Sequence, residues 1–313
     1  MAFLIGTDEA GYGPNLGPLT ICGTMWEADF EGDICLYKRL SDSVSSTPDP
    51  EKLHIADSKA VHKPKSIARL ETNVLAMLYA LHGRLPQDWK ELLGMLSVDY
   101  QPKDDVCSLS RNPKLTIVAD QEKVKQLAEK FQTDCQRNNV EFCNAKVSAV
   151  LPNQFNQQID RLGNKAELLS FETLAIVKEF CETAQADVVV CCDKHGGRSK
   201  YAGMINQYLT DQIVRIDCES LQLSRYHWKE RDRSVDVSFL AKGESFLPTA
   251  LASMFAKYIR EISMQNLNKF WQDVKPGIAP TKGYPVDAKR FKAEIADVQQ
   301  ELGITDAQIW RKR

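Results

Sequence analysis

Short apolar runs alternate with amphipathic stretches along most of the chain. Two apolar runs near the N-terminus, Ala2 to Gly6 and "LTICGTMW", predict strands separated by a loop. Two later runs, "VEFCNAKVSAVL" and "ADVVVCC", predict further strands, with a helical stretch between them. A helix followed by a strongly apolar strand is typical of a sheet covered by helices on both faces. The pattern therefore predicts an α/β fold.

Three other stretches are predicted to be helices. Residues 66–83 place apolar side chains three and four positions apart and end at a glycine. "DQEKVKQLAEKFQTDCQRNN" predicts an exposed helix, and a long helix is predicted to begin at Pro248. In that long helix one apolar face is shared by Ala252, Phe255, Ile259 and Ile262. The sequence shows no internal repeat.

Composition and charge are those of an ordinary soluble globular protein. Of the 313 residues, 43% are hydrophobic and 26% are charged. No apolar run approaches the roughly 20 residues that span a bilayer, so we expect no membrane association. The N-terminus has no basic region before its apolar stretch, and nine cysteines show no CxxC pair, which favours a cytoplasmic protein with reduced thiols. With a net charge of −2, any nucleic acid must be bound by local basic patches.

The stretch "GTDEAGYGPNLGP" places two adjacent carboxylates, Asp8 and Glu9, at the end of the first predicted strand. Neighbouring carboxylates repel each other unless a cation or a proton lies between them. Asp193 also stands where an apolar strand ends, and strand ends are where α/β sheets bind ligands. Taken singly, these aspartates would also fit loop or capping roles. Taken together, they predict a Mg²⁺ site, in which two ions can clamp a phosphodiester.

The same stretch resembles the signature of the ribonuclease HII family, in which Asp-Glu-Ala-Gly is followed by a basic residue, Gly and a Gly-Pro. Five more elements follow in the family's order. They are "ADSKAV" at 56–61, "LPNQFNQQIDRLGNKAELLSFETLAIV", "VVVCCDKHGG", "AKGESFLPTALASMFAKYIREISM" and "TKGYPVDAKRF". Together the six elements extend from residue 6 to residue 291, so the resemblance covers most of the chain.

The resemblance implies an RNase H-like fold with a mixed five-stranded central sheet flanked by helices. It also implies metal-dependent cleavage of RNA in RNA–DNA hybrids, or at ribonucleotides embedded in duplex DNA. Two metal ions, Mg²⁺ or Mn²⁺, would be held by four catalytic carboxylates, Asp8, Glu9, Asp193 and Glu261. Glu261 stands where the family usually has aspartate. The expected products carry a 5′-phosphate and a 3′-hydroxyl.

Six residues on the matching motifs are implied to bind the nucleic acid: Gly11, Tyr12, Gly13, Lys59, Lys257 and Tyr284. Tyr12 replaces the arginine or lysine that the family places between the two glycines. We therefore expect stacking and backbone amides there instead of a charged clamp. Tyr284 matches the tyrosine that packs on the deoxyribose at an RNA–DNA junction, whereas Val286 and Lys289 depart from the family. Lys242 is a further cation on a matching motif.

The loop after Asp193 contains polar residues that have two interpretations each. His195 could shuttle a proton, although a polar loop histidine is the more frequent case. Arg198 and Lys200 could contact phosphate or simply be solvated. The adjacent cysteines of "VVVCCD" are interpreted as buried strand residues, since the proposed hard cation prefers oxygen ligands.

The chain between Asp8 and Asp193 is longer than in the family. We expect the excess, residues 84–140, to form an inserted peripheral segment of unassigned role. Residues 1–83 and 141–313 would then form the catalytic domain, with residues 287–313 as its C-terminal helical part. None of the six motifs includes a residue of the expected insertion, because all of them lie before or after it.

Two other functions stay open. Tyr12 and Glu261 favour a nucleic-acid-binding protein that kept the fold and has weak or lost catalysis. The presence of all four acids argues against this alternative, because buried carboxylates without a use are an electrostatic liability. The insertion and Tyr12 favour a metal-dependent nuclease with a different duplex or flap substrate.

Overall fold

The computed structural model describes residues 1–29, 34–62, 66–98 and 115–312. Its strands are β1 (Ala2–Ala10), β2 (Leu19–Ala28), β3 (Val44–Ser45), β4 (Leu53–His54), β5 (Val140–Val150), β6 (Asp187–Asp193), β7 (Arg215–Glu219), β8 (Leu223–Glu230) and β9 (Arg233–Leu240). Its helices are α1 (Leu36–Arg39), α2 (Ser58–Val61), α3 (Ala68–His82), α4 (Trp89–Met95), α5 (Gln121–Arg137), α6 (Pro152–Leu162), α7 (Lys165–Thr183), α8 (Ala202–Tyr208), α9 (Leu247–Val274), α10 (Pro285–Glu301) and α11 (Asp306–Ile309). A 3-10 turn, Gly243–Ser245, precedes α9.

A mixed sheet forms the centre of the described chain, with its strands in the order β5-β2-β1-β6-β9-β8-β7. β1 is antiparallel to β2 and parallel to β6, and β6 is parallel to β9. The predicted α/β class, with a mixed sheet flanked by helices, is therefore confirmed. The short pair β3 and β4 lies outside this sheet.

Within the described residues the sheet has seven strands where five were expected, which corrects that prediction. The first five strands in its order are β5, β2, β1, β6 and β9, and β8 and β7 extend the sheet beyond β9 with antiparallel pairing. On β8 the side chains of Ser224, Tyr226 and Trp228 are buried, while the residues between them are more exposed. This alternation with a period of two is the pattern of a strand with one face on the core.

Each face of the sheet has its own apolar core. On one face Trp26 of β2 packs with Phe142 of β5, and Phe255 of α9 stacks on Phe142. On the other face Ile21 and Met25 of β2 belong to the cluster that includes side chains of α7. Successive β2 residues thus point to opposite faces, which is why this strand is apolar almost throughout.

Helix α9 lies directly on the sheet at β1. A Cβ atom on Gly6 would lie only 2.1 Å from the backbone nitrogen of Thr249, so only glycine leaves room for the helix. The Thr249 hydroxyl donates to the carbonyl of Cys191 on β6 (2.7 Å). The Thr24 hydroxyl of β2 donates to the carbonyl of Pro248 (2.8 Å), and the Thr20 hydroxyl donates to that of Ala256 (2.9 Å). These bonds fix both the position and the direction of α9.

The described residues of the predicted insertion, 84–98 and 115–140, contribute the helices α4 and α5. Phe131 of α5 meets Trp26 edge to face, with ring centroids 5.9 Å apart. The carbonyl of Leu96 accepts from the backbone N–H of Val147 on β5 (3.0 Å). The segment therefore packs on the β5 side of the sheet. Its independence from the rest of the domain stays a prediction, and residues 99–114 lie outside the described residues.

The C-terminal residues pack on the second half of α9. Phe291 and Ile295 of α10 share an apolar cluster with Leu267 and Trp271 of α9. Ile309 of α11 completes this cluster, and Trp310 forms an isolated bridge with Leu16 near the N-terminus. The end of the chain thus returns to the loop between β1 and β2. No helix in the described ranges is long and apolar enough to cross a membrane.

We predict that Gly6→Ala destabilises the fold by at least about 2 kcal/mol, because the new methyl group would overlap the backbone of α9. Urea denaturation measures this change. Gly94→Ala is the matched control: Gly94 lies in α4 with open space around its Cα, so alanine there should stabilise by up to about 1 kcal/mol. Equal stability of the Gly6→Ala variant and the unmodified chain would contradict the close approach of α9.

Candidate metal centre

Three carboxylates meet at the ends of two parallel strands. Asp8 and Glu9 lie near the end of β1, and Asp193 is the last residue of β6. Because Thr7 pairs with Cys192 in the parallel register, the next residue of each strand is brought to the same edge of the sheet. One carboxylate oxygen from each of the three lies within 4.8 Å of the other two. This is the strand-end clustering that the sequence predicted.

The three acids are difficult to ionise together without a cation. Burial raises the pKa of Asp8 well above its usual range, and the neighbouring Glu9 and Asp193 raise it further. Burial and Asp193 raise the pKa of Glu9 to about 7. Burial also raises the pKa of Asp193, although the backbone N–H of Gly243 donates to its Oδ1 (3.1 Å) and lowers it. A hard divalent cation fits this donor set, because it takes oxygen ligands and removes the repulsion.

Residues of two helices, α9 and α2, support the acids. The Ser253 hydroxyl of α9 forms a hydrogen bond with Asp8, which lowers the Asp8 pKa, and lies 3.1 Å from the Ser58 hydroxyl at the start of α2. The positive charge of the adjacent Lys59 lowers the pKa of Glu9 and Asp193. Lys59 therefore lies close enough to the carboxylates to interact with them, as its motif suggested.

The residues around Gly243 lie close to Asp193. A Cβ on Gly243 would lie 3.3 Å from the Cα of Asp193, so the glycine permits this close contact. Glu244 raises the Asp193 pKa, which makes it a fourth acid near the cluster that sequence reasoning did not single out. The exposed Lys242 adopts a left-handed backbone conformation, with φ of 68°.

Glu261 lies on the same face of α9 as Ser253 and Lys257, because the three residues are spaced four apart. Eight residues correspond to about 12 Å of helix axis, so Glu261 lies two turns beyond the serine that contacts Asp8. The Glu261 carboxylate forms an ion pair with Lys257 (Oε1–Nζ 2.5 Å). It does not belong to the cluster of three among the described residues. Burial would raise its pKa, but Lys257, His62 and Arg260 hold it below the usual value.

Two buried arginines hold the glycine loop, residues 11–18, from inside. Arg260 donates to the carbonyl of Pro18 (2.7 Å), and Arg311 donates to the carbonyls of Gly11 (2.6 Å) and Pro14. Gly11 has φ of +90°, and a Cβ there would lie 2.8 Å from the Arg260 side chain. The packing of Arg260 thus requires glycine at position 11, independently of any ligand that approaches the loop. Sequence reasoning gave neither arginine a role in the loop: Arg260 lies on a matching motif, whereas no local pattern marks Arg311.

Tyr12 belongs to this loop, and Tyr284 lies beside Gly13 of the same loop. The Tyr12 ring is partly buried, and the Nζ of Lys165 lies 4.6 Å from its centroid. Burial and the negative charge of Glu9 raise the Tyr12 pKa, so its hydroxyl stays protonated. A Cβ on Gly13 would lie 4.0 Å from Cε1 of Tyr284, which is 55% exposed. The predicted substrate-binding residues of the loop and of the "KGYP" segment are therefore neighbours.

The loop after Asp193 is held by internal contacts. His195 is buried, and its Nδ1 lies 2.7 Å from the Ser170 hydroxyl. Burial lowers the His195 pKa to about 3, so the ring is neutral at physiological pH and unsuited to shuttling protons. Arg198 is paired with Glu167 (2.8 Å), which favours a structural role over phosphate contact. Cys191 and the adjacent cysteine are buried, as predicted.

No protein-family model matches the sequence, and no curated protein matches it significantly. Among solved structures, the chain is similar to the ribonuclease H2 of Pyrococcus horikoshii OT3, with 15% identity and a TM-score of 0.49 over 98% of this chain and 92% of that one. It is also similar to the RNase HII of Archaeoglobus fulgidus solved with PCNA, with 15% identity and a TM-score of 0.44. That match covers 99% of this chain and 94% of the other. A Bst-RNase HIII solved with Mn²⁺ has 17% identity and a TM-score of 0.40, and the match covers 99% of this chain and 66% of the other.

We predict that the metal-free protein loses stability as the pH rises from about 4.5 to about 7. Below this window Glu9 is protonated in both the folded and the unfolded chain. Within it the unfolded chain ionises first, because the folded pKa is raised from 4.5 to about 7, so the folded state is progressively disfavoured. Urea denaturation in a chelator, at pH values from 4.5 to 8, measures the effect.

Glu9→Gln should stabilise the metal-free protein above pH 7 by up to roughly 3 kcal/mol and have little effect near pH 4.5. Adding Mg²⁺ or Mn²⁺ at pH 7.5 should stabilise the unmodified chain more than the variant. Parallel stability curves for the two proteins across the whole pH range would show that Glu9 is not held in a repulsive cluster.

Proposed function

We propose that this protein is a metal-dependent endonuclease that cleaves the RNA strand of RNA–DNA hybrids, or duplex DNA at embedded ribonucleotides. One observation carries the proposal: Asp8, Glu9 and Asp193 converge within 4.8 Å beside the glycine loop that contains Tyr12. The proposed type of reaction comes from the six sequence motifs, which resemble those of the ribonuclease HII family and follow in the same order. The activity therefore belongs, in our proposal, to the ribonuclease H type.

Asp8, Glu9 and Asp193 would hold Mg²⁺ or Mn²⁺, since both ions take carboxylate oxygens. When bound, such ions supply activation of water and stabilisation of the leaving oxygen, as in other two-metal nucleases. The acids contribute their negative charge and their fixed spacing, which the strand register and Gly243 maintain. Glu261 is proposed as the fourth ligand, which requires it to exchange its ion pair with Lys257 for the metal. The expected products carry a 5′-phosphate and a 3′-hydroxyl.

Substrate binding is proposed for the surface that surrounds the acids. Lys59 and Lys257 supply positive charge for the phosphate backbone, and both lie on the α9 side of the cluster. The glycine loop and the half-exposed Tyr284 present backbone and aromatic surface. Aromatic rings stack on unpaired bases or pack on sugars, which suits a junction between RNA and DNA.

A second candidate function is a nucleic-acid-binding protein with weak catalysis. The observation that favours it is the Lys257–Glu261 ion pair, because it keeps the proposed fourth ligand outside the cluster of three acids. A nuclease with another duplex or flap substrate is the third possibility. Cleavage assays in Mg²⁺ and in Mn²⁺ on a hybrid, a single-ribonucleotide duplex and plain DNA separate the three functions.

We predict that Asp193→Asn abolishes cleavage of the preferred substrate, a loss of at least about 100-fold, while the fold is kept. The substitution removes a ligand charge with almost no change in shape. Asp187→Asn is the matched control, because Asp187 begins the same strand at its opposite end and should leave activity unchanged. Steady-state cleavage rates, together with thermal unfolding of both variants, give the result.

Cleavage by the Asp193→Asn variant at the rate of the unmodified chain would exclude the acidic cluster as the active centre. Binding of a hybrid without any cleavage, in either metal ion and by the unmodified chain, would support the second candidate function.

A further inference from the structure

The ammonium group of Lys165 lies over the ring of Tyr12, with its Nζ 4.6 Å from the ring centroid. Lys165 is the first residue of α7, and Tyr12 lies in the glycine loop, so the contact joins segments that are distant in sequence. A cation at this distance from an aromatic face is attracted by about 0.5–1 kcal/mol at a partly exposed site. The contact therefore places a positive charge on the loop.

Lys165 forms no ion pair with a carboxylate in the part of the chain that the structure describes, unlike the nearby Arg198, which is paired with Glu167. The N-terminus of α7 is already capped, because the Asn164 side chain accepts from the backbone N–H groups of Ala166 and Glu167. A cation in the first turn of a helix is disfavoured by about 0.3–1 kcal/mol. A charge kept in an unfavourable local position is typical of a functional residue.

We propose that Lys165 supplies the cation that the glycine loop lacks, and that it binds a phosphate of the nucleic-acid backbone lying across Tyr12. This assignment rests on the proposed function. The Lys165 ammonium donates hydrogen bonds to a phosphate oxygen, while the Tyr12 ring fixes the direction of its flexible side chain. The positive charge that the resemblance placed at position 12 thus comes from another segment, and Tyr12 becomes the residue that positions it.

Other cations around Tyr12 fit this role less well. Arg198 is close enough to lower the Tyr12 pKa, but its guanidinium is already engaged by the Glu167 carboxylate and the Met204 sulfur. Lys194 is buried, and its Nζ donates to the carbonyl of Ser220 (2.8 Å). Lys165 is partly exposed and directed at the loop.

The test is the salt dependence of binding to an RNA–DNA hybrid, measured by fluorescence anisotropy with the full chain carrying Asp193→Asn to prevent cleavage. Lys165→Gln should lower affinity about 3- to 10-fold at low salt. It should also reduce the slope of log affinity against log salt by about one unit, as expected for one lost phosphate contact. Lys178→Gln, an exposed lysine further along α7, is the matched control and should change neither quantity.

Two further variants test the role of the ring. Lys165→Arg should keep the slope, because it keeps the charge. Tyr12→Leu should weaken binding when Lys165 is present and have less effect in the Lys165→Gln background, since the ring acts through the ammonium. Equal effects of Tyr12→Leu in both backgrounds would contradict this positioning role.

An unchanged slope and affinity for Lys165→Gln, in a chain that otherwise binds the hybrid, would overturn the assignment of Lys165 and leave the proposed function intact. If the unmodified chain binds neither the hybrid nor a single-ribonucleotide duplex, both the proposed function and this assignment are wrong.

Discussion

The arrangement of the candidate site depends on the direct contact between α9 and the sheet. Gly6 admits the helix so closely that the Thr249 hydroxyl reaches the carbonyl of Cys191 on β6. Later turns of the same helix carry Ser253 to Asp8 and Arg260 to the glycine loop. One rigid element thus relates the strand ends to the loop. A shift of its first turn would move all of these contacts together.

The acidic cluster is the part of the structure in which local electrostatics oppose folding. Burial raises the pKa values of Asp8, Glu9 and Asp193. Neighbouring carboxylates raise them further, that of Glu244 in the case of Asp193, and the Gly243 N–H, the Ser253 hydroxyl and Lys59 offset this only in part. Such a group of partly buried carboxylates resists full ionisation, and a divalent cation bound to it would relieve the repulsion. The donor set therefore fits such a cation.

Much of this arrangement could be predicted from the sequence. The apolar runs gave β1, β2, β5 and β6, and the rule that ligands bind at strand ends gave the meeting of Asp8 with Asp193. The strands β7, β8 and β9 were not predicted: β7 is short and largely exposed, and on β8 a polar residue, Ser224, occupies one of the buried positions. The contacts of Arg311 with Gly11 and of Lys165 with Tyr12 could not be predicted, since the two residues of each pair lie more than 150 positions apart in sequence.

The glycine loop shows why such distant contacts matter for recognition. Arg311 donates to the carbonyl of Gly11, its own backbone N–H donates to Asn15, and Asn15 donates back to the carbonyl of Arg311. Because these bonds and Arg260 engage backbone carbonyls of the loop, they hold it without using the exposed Gly13. A binding loop whose backbone is already fixed by internal hydrogen bonds loses little conformational entropy when a ligand binds. Arg311 therefore belongs to the candidate site through its bonds to the glycine loop.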